Sequence, residues 1–166
     1  MAWVREIVGF WRAPRRAIAA RLAGGPREDQ ALAMVLGASA LIFLAQMPGL
    51  ARDAVLDPSI PLDARLGGAL LASMFLLPLL LYLIAGASHL LLRAFGATSS
   101  GFGTRLALFW SLLAVTPLML VQGLLVGLFG HAGWMTPLGA MVLAGFLLLW
   151  GAALRQVGFP EQKRQG

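Results

Sequence analysis

The chain has 166 residues, of which 59% are apolar and 12% are charged, with no cysteine and a formal net charge of +6 at pH 7. The lack of cysteine excludes disulfides, thiolate catalysis and cysteine-ligated metal sites. The basic residues flank long apolar runs instead of forming a soluble basic face, so a nucleic-acid partner is not expected.

The first element in chain order is a basic, aromatic segment that covers residues 1–29. Its apolar side chains recur at helical spacing with arginines between them, which predicts an amphipathic helix lying in the membrane interface against anionic lipid. The alternative is a charged flank that only fixes the orientation of the first span. The residues expected at the interface are Trp3, Phe10, Trp11, Arg12, Arg15 and Arg16.

Four apolar runs follow, and each can cross a hydrocarbon core of about 30 Å as a helix of about 20 residues. The third and fourth runs are divided by the turn-forming cluster at residues 130–133. The pattern predicts an all-α, polytopic fold with one four-helix transmembrane domain at residues 30–154 and a tail at residues 155–166. The predicted spans are about 30–51, 66–92, 106–129 and 134–154.

Basic residues are distributed unevenly between the two sides of this arrangement. Eleven lie in the N-terminal segment, the second connection and the tail, whereas the first connection holds two, Arg52 and Arg65. Arginine and lysine in short flanks stay cytoplasmic, so both termini are predicted to be cytoplasmic. The first span would be an uncleaved signal anchor. The abundance of arginine, alanine, glycine and leucine favours a bacterial inner membrane as the location.

Few polar side chains lie within the predicted spans. Gln46, Ser73 and Gln122 fall at similar depths, and a carboxamide facing lipid would be unsatisfied, so we expect an interhelical polar layer that joins the helices. The alternative is that the layer lines a substrate path. His89 is a candidate titratable group near the end of the second span, and a hydrogen bond at the interface is the favoured role.

Prolines and glycines mark two further features of the spans. Pro78 and Pro117 lie near the middle of the second and third spans and predict helix kinks. Such kinks at mid-membrane are also typical of transporter binding sites. Gly123 and Gly127 form a small-residue face that predicts close helix packing, either within one chain or between two copies.

No residue pattern in the sequence points to catalysis. There is no phosphate-binding glycine loop, no HExxH pair and no serine, histidine and aspartate arrangement. Asp53, Asp57 and Asp63 could bind a hard cation, but their irregular spacing and the flanking arginines favour a solvated loop. We therefore expect no enzyme activity, no cofactor and no metal site.

Two segments carry a resemblance to a known family. Residues 10–18, FWRAPRRAI, and residues 106–113, LALFWSLL, followed by Thr116-Pro117-Leu118, resemble the prokaryotic branch of the Yip1 family. The resemblance implies a small polytopic helical membrane protein. Eukaryotic members act with small GTPases in vesicle trafficking, but this chain has four spans where five are usual and lacks their long N-terminal region with its Asp-Leu-Tyr motif. Neither the GTPase partner nor any catalytic residue is therefore implied here.

Together these features predict a non-enzymatic membrane protein that organises the membrane or interacts with other proteins. In this hypothesis the N-terminal segment binds anionic lipid, and small-residue helix faces dock a membrane protein or a second copy. The first alternative is a small transporter or channel with Gln46, Ser73 and Gln122 along its path. The second is an accessory subunit of a larger membrane complex.

Overall fold

The computed structural model describes residues 18–19, 25, 27–97 and 100–159. Within them the chain forms four long helices: α1, Glu28–Leu56; α2, Leu62–Ala94; α3, Gly101–Phe129; and α4, Met135–Gly158. All four are long and apolar enough to cross a membrane. Within the described residues, the predicted all-helical fold with four helices able to span a membrane is confirmed.

The helices extend beyond the apolar runs from which they were predicted. α1 continues through Arg52 and Asp53 to Leu56, and α2 already begins at Leu62. The turn between them is short because Arg65 closes it, donating to the carbonyl oxygens of Ile60 at 2.9 Å and Asp57 at 3.0 Å. Charged residues are compatible with a helix once it leaves the hydrocarbon, so hydropathy alone places the helix ends too early.

The bundle has two ends, which we call distal and proximal. The distal end holds the turn at residues 57–61 and the α3–α4 connection at residues 130–134. The proximal end holds the start of α1, the α2–α3 connection and the end of α4. At the proximal end an ion pair between Arg105 and Glu28 joins the first turns of α3 and α1.

Helix α3 is the centre of the bundle, since it packs against each of the other three helices. In its proximal half every residue from 106 to 116 is buried, which requires neighbours on all sides. Tyr82 of α2 contacts the edge of Phe109 with ring centroids 5.0 Å apart. Ile18 is also fully buried and belongs to this core.

The predicted interfacial residues Trp3, Phe10, Trp11, Arg12, Arg15 and Arg16 lie outside the described residues. Ile18 and Ala19 are helical, and the burial of Ile18 places one apolar side chain of the N-terminal segment in the protein core. An amphipathic helix along the membrane surface is not supported by these described positions.

Candidate functional site: a polar cleft between α1 and α3

A cleft of about 330 Å³ lies between α1 and α3 at the distal end. Most of its wall is apolar, but four polar side chains reach it from three parts of the chain. They are Gln46 and Asp53 of α1, Gln122 of α3 and His131 of the α3–α4 connection. Polar groups at such positions in a membrane helix bundle commonly mark a functional site.

Helical periodicity explains how α1 supplies its part of the cleft. Gln46 and Asp53 are seven residues apart, so they lie on one face of the helix about two turns, or roughly 10 Å, from each other. Ser39 lies a further seven residues toward the proximal end and is fully buried, and its hydroxyl has no hydrogen-bond partner among the described residues. One face of α1 therefore carries a row of three polar side chains.

Gln46 is held in place by two hydrogen bonds. Its Nε2 donates to Ser73 Oγ of α2 at 3.0 Å and to the Ile42 carbonyl oxygen at 3.3 Å. The structure thus brings Gln46 and Ser73 together. Gln122 makes no hydrogen bond with either of them and instead lines the cleft with Gln46. Its Nε2 leans toward α4, where a Cβ built on Gly139 would lie 3.1 Å away.

Ser73 reaches Gln46 from an irregular turn of α2. Residues Ala72–Leu76 form a π-helical turn, in which the Leu77 N–H donates to the Ala72 carbonyl oxygen. Pro78 follows directly. A proline has no N–H to donate and its ring presses on the preceding turn, and widening that turn relieves both problems. Pro78 therefore coincides with the distortion that carries Ser73, which is itself buried.

Pro117 interrupts the hydrogen bonding of α3 just before Met119, where the helix begins to line the cleft. Without an N–H it leaves the Leu113 carbonyl oxygen four residues earlier without its usual donor. The Thr116 hydroxyl donates to that oxygen at 2.8 Å. Neighbouring hydroxyls often satisfy carbonyls freed by proline in membrane helices. Pro48 inside α1 is a third interior proline, and the sequence analysis did not single it out.

Gly123 and Gly127 allow α1 and α3 to approach beside the cleft. A Cβ built on Gly123 would lie 1.7 Å from the Ala45 carbonyl oxygen, and one on Gly127 would lie 2.5 Å from Pro48 Cβ. The two backbones are therefore in direct contact, which only a residue without a side chain permits. The small-residue face of α3 is used for packing within the chain.

Arg52 joins α1 to the last turn of α3 at the distal end. Its Nη1 donates to the carbonyl oxygens of Gly127 at 3.3 Å and Leu128 at 3.2 Å, in the last turn of α3. These carbonyls have no donor within their own helix, and a positive charge there also complements the helix dipole. The sequence analysis assigned Arg52 to a connection and missed this role.

Asp57 and Arg65 form a second charged contact at the distal end, outside the cleft. Arg65 Nη2 lies 3.3 Å from Asp57 Oδ2, and the Ser59 N–H donates to Asp57 Oδ1 at 3.1 Å. The hydrogen bonds from Ser59, aided by Arg65, hold the pKa of the exposed Asp57 carboxyl below its usual value. By contrast, Asp53 in the cleft has no ion pair in the described part of the chain.

His89 lies far from the cleft, near the proximal end of α2. A Cβ built on Gly101 at the start of α3 would lie 4.0 Å from His89 Cδ2. The imidazole that reaches the cleft is His131, which the sequence places in a turn. The sequence signal that could have revealed the cleft is the seven-residue interval from Gln46 to Asp53, which places both on one face of a helix. A hydropathy reading misses it, because Asp53 carries a charge and is taken as lying beyond the end of the span.

The described residues contain no cluster of three or more histidine or acidic side chains able to hold a metal ion. Comparison with known proteins finds no matching family model, no matching curated protein and no matching solved structure. The resemblance to the Yip1 family therefore has no support from these comparisons, and the candidate site is interpreted from its own geometry.

Proposed function

We propose that this chain is a non-enzymatic membrane protein that binds a small polar group in the cleft between α1 and α3, as a small transporter or solute-binding component. The observation that carries the proposal is the convergence of Gln46, Asp53, Gln122 and His131 on one cavity. In membrane bundles, clefts with a few convergent polar groups are the usual places for substrates.

The chemistry of the cleft favours binding over catalysis. Two of its four polar groups are carboxamides, which neither titrate nor act as nucleophiles but do orient a ligand by hydrogen bonds. Gln46 and Asp53 lie roughly 10 Å apart along the α1 wall of the cleft, so a small polar solute can contact both of them.

The membrane-organising role expected from the sequence would need a different surface. Its docking face was to be Gly123 and Gly127, and both pack against α1 within the chain. The role of an accessory subunit in a larger complex stays a prediction. Binding of anionic lipid through Arg12, Arg15 and Arg16 also stays one, since these residues lie outside the described part. The transporter alternative therefore becomes the proposal that the geometry favours.

The orientation proposed for the chain places the proximal end in the cytoplasm of a bacterial inner membrane. Both arginines of the distal end are engaged: Arg52 with carbonyl oxygens of α3 and Arg65 with Asp57. Eleven basic residues belong to the segments at the proximal side. The positive-inside rule then puts the cleft on the opposite face of the membrane.

Because the chain has no cysteine, single cysteines can be introduced into the full chain and labelled selectively. A single cysteine at Gln122→Cys should react with a membrane-impermeant maleimide, because a thiol in a hydrated cleft ionises and is accessible. The matched control is Val121→Cys on the adjacent, 56% exposed position outside the cleft lining, which should stay unreactive in lipid. Labelling of intact cells would also show that the cleft faces outward.

Two results would contradict the proposal. A Gln122→Cys thiol that stays unreactive in folded protein would mean that the cleft is closed to water. Equal labelling of both variants would mean that the reagent reports exposure of the whole helix. Cysteine at Ser59→Cys, in the exposed distal turn, serves as the positive control for access from that side.

A further inference from the structure

We propose that the ligand of the cleft is an amphipathic ammonium compound, with its charged head beside Asp53 and its alkyl chain in an apolar groove between α1 and α2. This inference rests on the proposed function, since it assigns a ligand class to the same cleft. Three observations carry it: the junction of two cavities at Gln46, the Asp53 carboxylate in the cleft, which has no ion pair among the described residues, and the charge of the distal end.

The groove is a second cavity, of about 580 Å³, on the other side of Gln46. Its wall is formed by α2 leucines such as Leu76, Leu80 and Leu83, and its polar lining consists of Gln46 and Ser73. Ile42 and Gln46 line both the cleft and the groove. A ligand that occupies both cavities must therefore be polar at one end and apolar along the other.

Gln46 and Asp53, on the α1 wall of the cleft, present acceptors to that polar end. Both Nε2 protons of Gln46 are used, by Ser73 and by the Ile42 carbonyl, so its Oε1 is the atom left to bind a ligand. The half-buried Asp53 carboxylate has neither an ion pair nor a side-chain hydrogen bond to the described residues. A partly desolvated carboxylate is stabilised by a cation, and an ammonium group is a donor with no acceptor of its own.

The electrostatics of the distal end select a cation over an anionic lipid head. Three carboxylates, Asp53, Asp57 and Asp63, lie there with the two guanidinium groups of Arg52 and Arg65. Both guanidinium groups are already bound, to helix carbonyls and to Asp57, and neither lines the cleft. A phosphate would be repelled by Asp53, and the cleft lining contains no arginine or lysine to offset that repulsion, so a phospholipid head fits poorly.

The test uses the full chain in nanodiscs of zwitterionic lipid, with hexadecylammonium that carries a diazirine at the end of its alkyl chain, which is long enough to pass Gln46 and run along the groove. After irradiation we expect adducts concentrated on residues 76–80 of α2. Asp53→Asn should reduce them about tenfold or more, because it removes the charge that pairs with the head. Asp63→Asn makes the same charge change on an exposed residue outside the cleft lining and should leave them unchanged.

A second pair of variants tests the groove without changing charge. Leu76→Trp adds bulk to the groove wall and should also reduce the adducts, whereas Leu90→Trp on the same helix should not. Leu76 and Leu90 are similarly exposed, at 64% and 68%, so neither substitution disturbs the core. A hexadecanol probe with the same diazirine lacks the charge and should label the lipid-facing sides of α2 and α4 alike.

The outcomes separate this inference from the proposed function. Adducts spread evenly over α2 and α4, or an Asp53→Asn variant that labels like the wild type, would overturn the ammonium assignment. A reactive Gln122→Cys in the same preparation would then leave the hydrated cleft standing for another ligand. An unreactive Gln122→Cys would overturn the proposed function itself, whatever the photoprobe does.

Discussion

The two halves of α3 are similarly apolar, yet they are packed in opposite ways. In the proximal half, residues 106–116 are all buried and include the large side chains of Phe109 and Trp110. In the distal half, residues 117–129 are half-buried or exposed, and the contact with α1 is made by backbone at Gly123 and Gly127. Side-chain packing fills the first half, whereas backbone contact leaves space beside it in the second.

The cleft follows from this difference. Where glycine lets two backbones touch, no side chain of the glycine fills the space beside the contact, and Gln46 and Gln122 line that space. Pro117 and Thr116 lie at the boundary between the two halves. A membrane helix can thus combine a fully buried core segment with a segment that borders a cavity while it stays apolar along its length.

The largest expected loss of stability comes from adding a side chain where the backbones of α1 and α3 are in contact. Gly123→Ala would place a Cβ 1.7 Å from the Ala45 carbonyl oxygen, so α1 and α3 must separate. We expect a loss of about 3 kcal/mol or more in the free energy of unfolding, as for severe overpacking. Thermal unfolding in mild detergent measures it.

The control for this substitution is Gly86→Ala in α2, where nothing lies within 4 Å of the added methyl group. It should be neutral or slightly stabilising, because alanine is the better helix former. Equal melting temperatures for the two variants would mean that α1 and α3 are not in backbone contact, and the distinction between the halves would fail.

The second prediction addresses the proximal half. Phe109→Ala removes a fully buried ring and its edge contact with Tyr82. Because the side chain leaves one apolar environment for another, the cavity that remains supplies most of the cost, which we estimate at about 2 kcal/mol. Unfolding in detergent should show a clear decrease for this variant, whereas Phe75→Ala, at a 68% exposed position, should change little.

Sequence reasoning identified the helices but only part of the cleft. Apolar runs are a sufficient signal for membrane spans, and the four helices are confirmed. Gln46, Ser73 and Gln122 stand out because a carboxamide or hydroxyl is rare in such runs. Asp53 and His131 were assigned to connections, since hydropathy assigns charged and turn residues to the outside even when the helical phase brings them to the same cavity.

The partner of a packing face is also invisible in one sequence. Gly123 and Gly127 predict a close approach but not the helix that approaches, because any small-residue surface can fill that role. The choice of α1 depends on Ala45 and Pro48, which are unremarkable residues in the sequence. Arg52 was missed for the related reason that its acceptors are main-chain carbonyls some 75 residues away.

The third prediction concerns the contact between Arg52 and the last turn of α3 at the distal end. Arg52→Gln removes the positive charge and the donor geometry that serve the last turn of α3. We expect a loss of about 1 kcal/mol, the usual scale for a charge at a partly exposed helix end. Arg52→Lys keeps the charge but not both hydrogen bonds, so its melting temperature should lie between those of the wild type and Arg52→Gln. Arg27→Gln, at the exposed start of α1, is the control.

The smallest effect is expected at the Gln46–Ser73 hydrogen bond. Ser73→Ala removes the acceptor, and interhelical hydrogen bonds of this kind contribute about 0.6 kcal/mol on average in membrane proteins. Ser88→Ala is the matched control, because the Ser88 hydroxyl donates to the Ile84 carbonyl oxygen within its own helix and joins no other helix.

The more informative readout is labelling at Gln122→Cys in the Ser73→Ala background. Once released from Ser73, the Gln46 carboxamide can turn into the cleft, so the labelling rate should change while stability hardly does. A large loss of stability with no change in labelling would show that the pair only joins helices and has no part in shaping the cleft.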